Sequence, residues 1–93
     1  MSDLVTHTTP NPNSLKFTSD AGSFIEGGLA SFRSSEDAAG HALGEPLFAI
    51  DGIIDVLVTP EFVTVTKADA ADWSDVTPHV KSVLQEALPH SAQ

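Results

Sequence analysis

Two β-branched runs, Ile53 to Thr59 and Phe62 to Lys67, flank the dipeptide Pro60-Glu61, and no other stretch of the chain leaves so little choice of fold. Valine, isoleucine and threonine suit the pleated surface of a sheet, and so short a Pro-containing break joins the two runs as a hairpin. Period-two alternation sends Val63 and Val65 to a core face and Thr64 and Thr66 to the opposite one. Phe62 shares the threonine face and needs cover there. A lone hairpin is marginal in water, so the remaining residues must supply more strands and a helical cover.

A second hairpin is predicted near the N-terminus. Leu4 to Thr9 reads as one strand, and Ser14 to Thr18, with Leu15 and Phe17 alternating against Lys16, as its partner. Between them lies Thr9-Pro10-Asn11-Pro12-Asn13. Proline fixes φ and restricts the residue before it, while asparagine bonds to nearby backbone, so the segment is a stiff turn. Leu29 to Phe32 is expected as a short edge strand. Ser34 ahead of Glu36 and Asp37 is a helix start with a capping hydroxyl and first-turn acids. Ala39, Leu43, Leu47 and Ile50 keep helical spacing, but Gly40, Gly44 and Pro46 leave two outcomes open: one helix, or two short turns broken near Gly44. Gly52 ends this segment. A last helix is expected from about Asp72 to Leu88, burying Val76, Val80, Val83, Leu84 and Ala87. Pro78 suits a first turn and not a helix middle, so Trp73 to Thr77 is predicted to be a separate turn or an irregular start.

The sum is an α+β fold: a small antiparallel sheet of two hairpins plus an edge strand, with two helices packed on one face. The 93 residues are read as a single domain with its core between about residues 4 and 88. The first few residues and Pro89 to Gln93 read as frayed ends.

Charge and sulfur narrow the function. Thirteen acidic residues against four basic ones give a net charge of −9, which disfavours phosphate backbones and anionic lipid; no nucleic-acid or membrane partner is expected. No run is long enough to span a bilayer, and Met-Ser-Asp-Leu-Val lacks the build of a signal peptide, so a cytoplasmic monomer is expected. With no cysteine there is no thiolate nucleophile, no redox pair and no sulfur ligand for zinc or an iron–sulfur cluster. Of the four histidines, His7, His41, His79 and His90, no two stand four apart, and surface or capping roles are expected for them. His79 with Asp75, one turn apart, is the nearest approach to a metal pair. No Gly-x-Ser-x-Gly elbow, Ser-x-x-Lys or GxGxxG occurs, so no enzyme and no cofactor are predicted. Trp73 is expected to anchor the start of the last helix.

Particular residues say more than their types. Thr9-Pro10-Asn11-Pro12-Asn13-Ser14-Leu15-Lys16-Phe17 resembles the opening signature of the Nfu/NifU N-terminal domain of iron–sulfur cluster proteins. Pro46 to Ile53 (PLFAIDGI) resembles that family's LF-x-I-x-G-V segment, Phe62 to Lys67 its F-I-T-V-T-K strand, and Asp72-Trp73 its entry to the last helix. Four pieces in order, from about Val5 to Leu88, make the resemblance specific. His41-Ala42-Leu43-Gly44 departs from the family's usual S-P-L-A there. The resemblance implies an α+β domain accompanying cluster assembly. In full-length family members a C-terminal domain carries a CxxC pair that holds the cluster, and the present sequence has neither. What carries over is a stand-alone accessory module with a protein partner in iron–sulfur assembly or delivery.

Two readings remain open. In the first, the stiff loop is a recognition surface, with Pro10, Asn11, Pro12, Asn13, Lys16 and Lys67 as candidate partner-binding residues; the same loop also reads as a purely structural turn. In the second, the chain is a small-molecule or divalent-metal-binding domain using His41, His79 and nearby acids.

Overall fold

The computed structural model of the chain describes residues 4–19, 24–25, 27–41 and 43–87. Strands β1 (Leu4–Thr8), β2 (Ser14–Ser19), β3 (Ala30–Phe32), β4 (Ile53–Val58) and β5 (Phe62–Lys67) form one antiparallel sheet in the order β1-β2-β5-β4-β3. Three helices complete it: α1 (Ser35–Ala38), α2 (Gly44–Phe48) and α3 (Trp73–Ala87). The expectations for the two chain ends, for His90 and for Leu88 fall outside the described residues.

The two hairpins and the edge strand form as their sequences demand. In the central pair Val56 faces Val65 and Val58 faces Val63, and all four are fully buried. A register shift between Ile53 and Asp55 lets Ile53 and Val56 both reach the core although they are three apart, and turns Ile54 outward. Phe17, Phe32, Leu47 and the α3 stripe of Val76, Val80 and Leu84 close the same core from one face of the sheet. On the other face Phe62 receives its cover from Lys16, whose Nζ lies 4.9 Å from the ring centroid.

The α1–α2 region departs from the single apolar stripe. Ser34 caps α1 as expected, its Oγ accepting from the Asp37 N–H at 3.1 Å. Gly40, at φ +85°, lies just beyond α1, so Ala38 is buried and Ala39 exposed. The break falls just before Gly44, which opens α2 and packs so tightly that a methyl group there would come within 2.7 Å of the Phe32 ring. Pro46 falls in the first turn, where its missing N–H loses nothing. The cap of α2 is His41, whose Nδ1 accepts the N–H groups of Leu43 and Gly44 at 3.1 and 3.0 Å. Of the two outcomes left open for this segment, two short helices form, so three helices stand in place of the two in the fold summary.

The second correction concerns Pro78. No separate turn precedes it; α3 runs unbroken from Trp73 through Pro78 to Ala87. The bond lost at Pro78 leaves the Ser74 carbonyl without its helical partner, and both residues are exposed, so water can satisfy that acceptor.

Candidate functional site

Strand register decides which loops meet. Ser14 pairs with Thr66, and Lys67 with Ile53, so the β1–β2 loop, the end of β5 and the start of β4 share one end of the sheet. Gly52 opens β4 there with φ +100°, close enough to Ala71 that a methyl group would lie 2.7 Å from its Cβ.

The loop is bonded within itself. Asn11 Oδ1 accepts the Asn13 N–H at 2.9 Å, Thr9 Oγ1 accepts the Asn11 N–H at 3.1 Å, and the Ser14 N–H reaches the Asn11 carbonyl at 3.0 Å. It is also tied to the body of the domain. The Lys67 N–H donates to the Asn13 carbonyl at 2.8 Å, and Lys67 Nζ donates to Asn13 Oδ1 at 3.1 Å and to the Ala68 carbonyl at 3.3 Å. Asn13 Nδ2 donates to Asp69, and Trp73 Nε1 to the Pro12 carbonyl at 3.0 Å. Lys67 Nζ also stands 5.9 Å from the centre of the Trp73 ring. Beside this clasp, the Ser74 N–H bonded to Asp72 holds its carboxyl below the ordinary value, with a smaller contribution from the Lys67 charge.

The six predicted partner-binding residues do not converge. Pro10, Asn11 and Pro12 are exposed at the tip of the loop, while Asn13 is half-buried in the clasp. Lys67 is 8% exposed and committed to internal acceptors. Lys16 lies on the opposite sheet face, since it pairs with Thr64 whereas Lys67 follows the inward phase of Val63 and Val65. Asp69 and the Trp73–Pro12 bond were not legible in the sequence. The Asp72-Trp73 pair marked a helix start, but nothing in it pointed 61 residues back to Pro12.

The histidines are scattered. His7 Nε2 lies 3.0 Å from Thr18 Oγ1, and His41 caps α2 beside Phe32. His79 borders an open cleft of about 820 Å³ with Asp75, Asp72 and Val76. Among the described residues no three His, Asp or Glu side chains come together as a metal site, and no described helix is long and apolar enough to cross a membrane.

A five-stranded antiparallel sheet with helices packed on one face makes this an α+β domain. The family described as scaffold protein Nfu/NifU N terminal matches residues 4–91, and the chain belongs to it. It is 40% identical, over 89% of its length, to NifU-like protein 5, mitochondrial, of Arabidopsis thaliana. To the mitochondrial NFU1 iron-sulfur cluster scaffold homolog of Drosophila ananassae it is 35% identical, again over 89%. These matches cover 30% and 29% of the two relatives, so the chain spans about a third of their length. The fold matches the solution structure of a NifU-like protein from Saccharomyces cerevisiae with a TM-score of 0.82, at 24% identity, over 97% of this chain and 81% of that one. A Staphylococcus aureus protein superposes with a TM-score of 0.69 over 85% and 93% of the two chains, also at 24% identity. The expectation of a cytoplasmic protein is corrected here: these Arabidopsis and Drosophila relatives are mitochondrial.

Proposed function

We propose that the chain is a non-catalytic protein-interaction module of iron–sulfur cluster assembly or delivery, and that the exposed tip of its clasped loop is where the partner is read. These residues carry no cysteine, so cluster ligation through sulfur falls to another molecule or segment. The observation that carries the reading is the clasp itself. Pro10, Asn11 and Pro12 project from a loop anchored by Asn13 to Lys67 and by Pro12 to Trp73. A tip already held in one shape forfeits little conformational entropy when a partner arrives. Lys16, on the far side of the β1–β2 hairpin, offers a separate contact for a partner carboxylate.

The test is a titration of the ¹⁵N-labelled chain with the purified cysteine-bearing scaffold domain of the same family, with and without its cluster. Saturable shifts confined to residues 9–14 are expected, and Asn11→Ala should weaken them while leaving the core amides in place. Shifts elsewhere with a silent loop would reduce the loop to a structural turn. The small-molecule reading keeps one point in its favour, the cleft beside His79, and predicts shifts at Gly52, Ala71 and His79 instead.

A further inference from the structure

The two edges of the sheet differ. β3 is three residues long and runs straight into Arg33, which limits what can pair with it. The other edge, β1, has five residues, Leu4-Val5-Thr6-His7-Thr8, with no proline, bulge, lysine or acid. Its backbone pairs with β2 on one side, and among the described residues nothing pairs with the other. Natural sheets ordinarily blunt such an edge with charge, proline or a bulge, because its unpaired N–H and C=O groups template another strand. Four of its five residues are exposed, including Val5 at 46%.

Charge supplies the second observation. None of the thirteen acidic residues lies between Leu4 and Ser19, so the β1–β2 hairpin is free of negative charge in a chain whose net charge is −9. On the outer sheet face His7 stands directly opposite Lys16, with Val5 next along the same face. A strand added beside β1 would place one of its own side chains next to His7, and a carboxylate there would complete a row with His7 and Lys16. A second copy of the chain fits poorly, because it brings another net charge of −9 and no acid on its own β1.

We propose that β1 is a docking edge for an extended partner segment that adds as a sixth strand and carries a carboxylate opposite His7. The inference rests on the reading of the chain as a protein-interaction module and adds the chemistry of what docks.

The probes are three acetylated, amidated hexapeptides, Thr-Val-Glu-Val-Thr-Val and its Gln and Lys counterparts at the third position, titrated into the ¹⁵N-labelled chain. The Glu peptide should shift and protect the Leu4–Thr8 amides and bind about fivefold more tightly than the Lys peptide, the scale of one exposed charge pair. His7→Gln with Lys16→Gln should bring the three affinities together while the amides of α3 stay unchanged. Affinities independent of peptide charge, equal shifts along Ala30–Phe32, or no binding at β1 would overturn the proposal. Light scattering that shows a dimer joined through β1 would overturn it as well, by giving the edge to a second copy. Asn11→Ala should not change peptide binding, so a failure at the loop and a failure at the edge are told apart.

Discussion

The two hairpins of this domain are built on opposite principles. In β4–β5 nearly every second side chain is buried, and the turn needs only Thr59, whose hydroxyl accepts the Phe62 N–H at 3.0 Å. In β1–β2 only Phe17 and Ser14 are buried, and β1 lies almost wholly in water. A slip of one residue would throw the valines of the central hairpin to the wrong face, so burial alone holds its register. Exposed β1 has little burial to lose by slipping on β2, and there the polar clasp of Asn13, Lys67, Asp69 and Trp73 fixes register instead. The recognition role proposed above falls on the second kind, whose exposed loop residues stay free of the core.

The contrast breaks most visibly at Phe17, the one fully buried large side chain of the outer hairpin, whose Leu4 and Leu15 pack only in part against the core. Phe17→Ala should cost about 3–5 kcal/mol, a large share of the stability of so small a domain, measured by urea denaturation. Thr6→Ala, at an exposed position of the edge strand, should stay within about 0.5 kcal/mol. Comparable losses at the two positions would mean that Phe17 is not the main anchor of the outer hairpin.

Next in size is the clasp. Asn13→Ala removes the Oδ1 acceptor of a nearly buried lysine and leaves Lys67 with the Ala68 carbonyl. A loss of about 1–3 kcal/mol is expected, as for a buried donor deprived of its partner. Faster hydrogen exchange should appear at residues 9–15 ahead of β4 and β5. Uniform exchange across both hairpins would show that the clasp does not set the outer register. Trp73→Phe is milder: it keeps most of the ring and loses one bond to the Pro12 carbonyl, about 0.5–1.5 kcal/mol.

The same contrast explains what the sequence could show. The central hairpin, the Phe17 strand, the Ser34 cap and the α3 stripe rest on periodicity and local chemistry, which a linear reading carries. Ala39 was assigned to the core because helical spacing was extended past Gly40, whereas the φ of that glycine marks an earlier stop. A capping role was among those expected of the histidines, but which helix His41 caps depends on where Nδ1 falls, and only the structure shows that. Pro78 inside α3 was misjudged because its cost depends on exposure, which the sequence does not print. The stiffness of the loop was readable from its prolines and asparagines. Its attachment was not, because Asn13 meets Asp69 and Pro12 meets Trp73 only after the sheet has brought positions more than fifty residues apart together.

The smallest effect lies at the edge of the clasp, in Asp72. Its Oδ1 accepts the Ser74 N–H at 3.0 Å at the opening of α3, and that bond, more than the nearby Lys67, favours the ionised carboxyl. A carboxyl whose folded pKa is depressed adds stability above its unfolded pKa of about 3.8 and loses it as the pH falls through the lower folded value. In that acid window the unfolded chain binds the proton more readily, so stability must rise with pH. Asp72 is fully exposed, and solvent and salt therefore keep the contribution small. The carboxyl carbon of Asp72, followed by NMR, should titrate below that of a model aspartate, and Ser74→Pro, which deletes both the donating N–H and the hydroxyl at a first-turn position, should return it most of the way. Because Lys67 ranks below that bond, Lys67→Met should move the midpoint up by less. If Lys67→Met moved it further than Ser74→Pro, the charge inside the clasp would reach past Asn13 to the helix start, and the clasp and the α3 cap would have to be treated as one electrostatic unit.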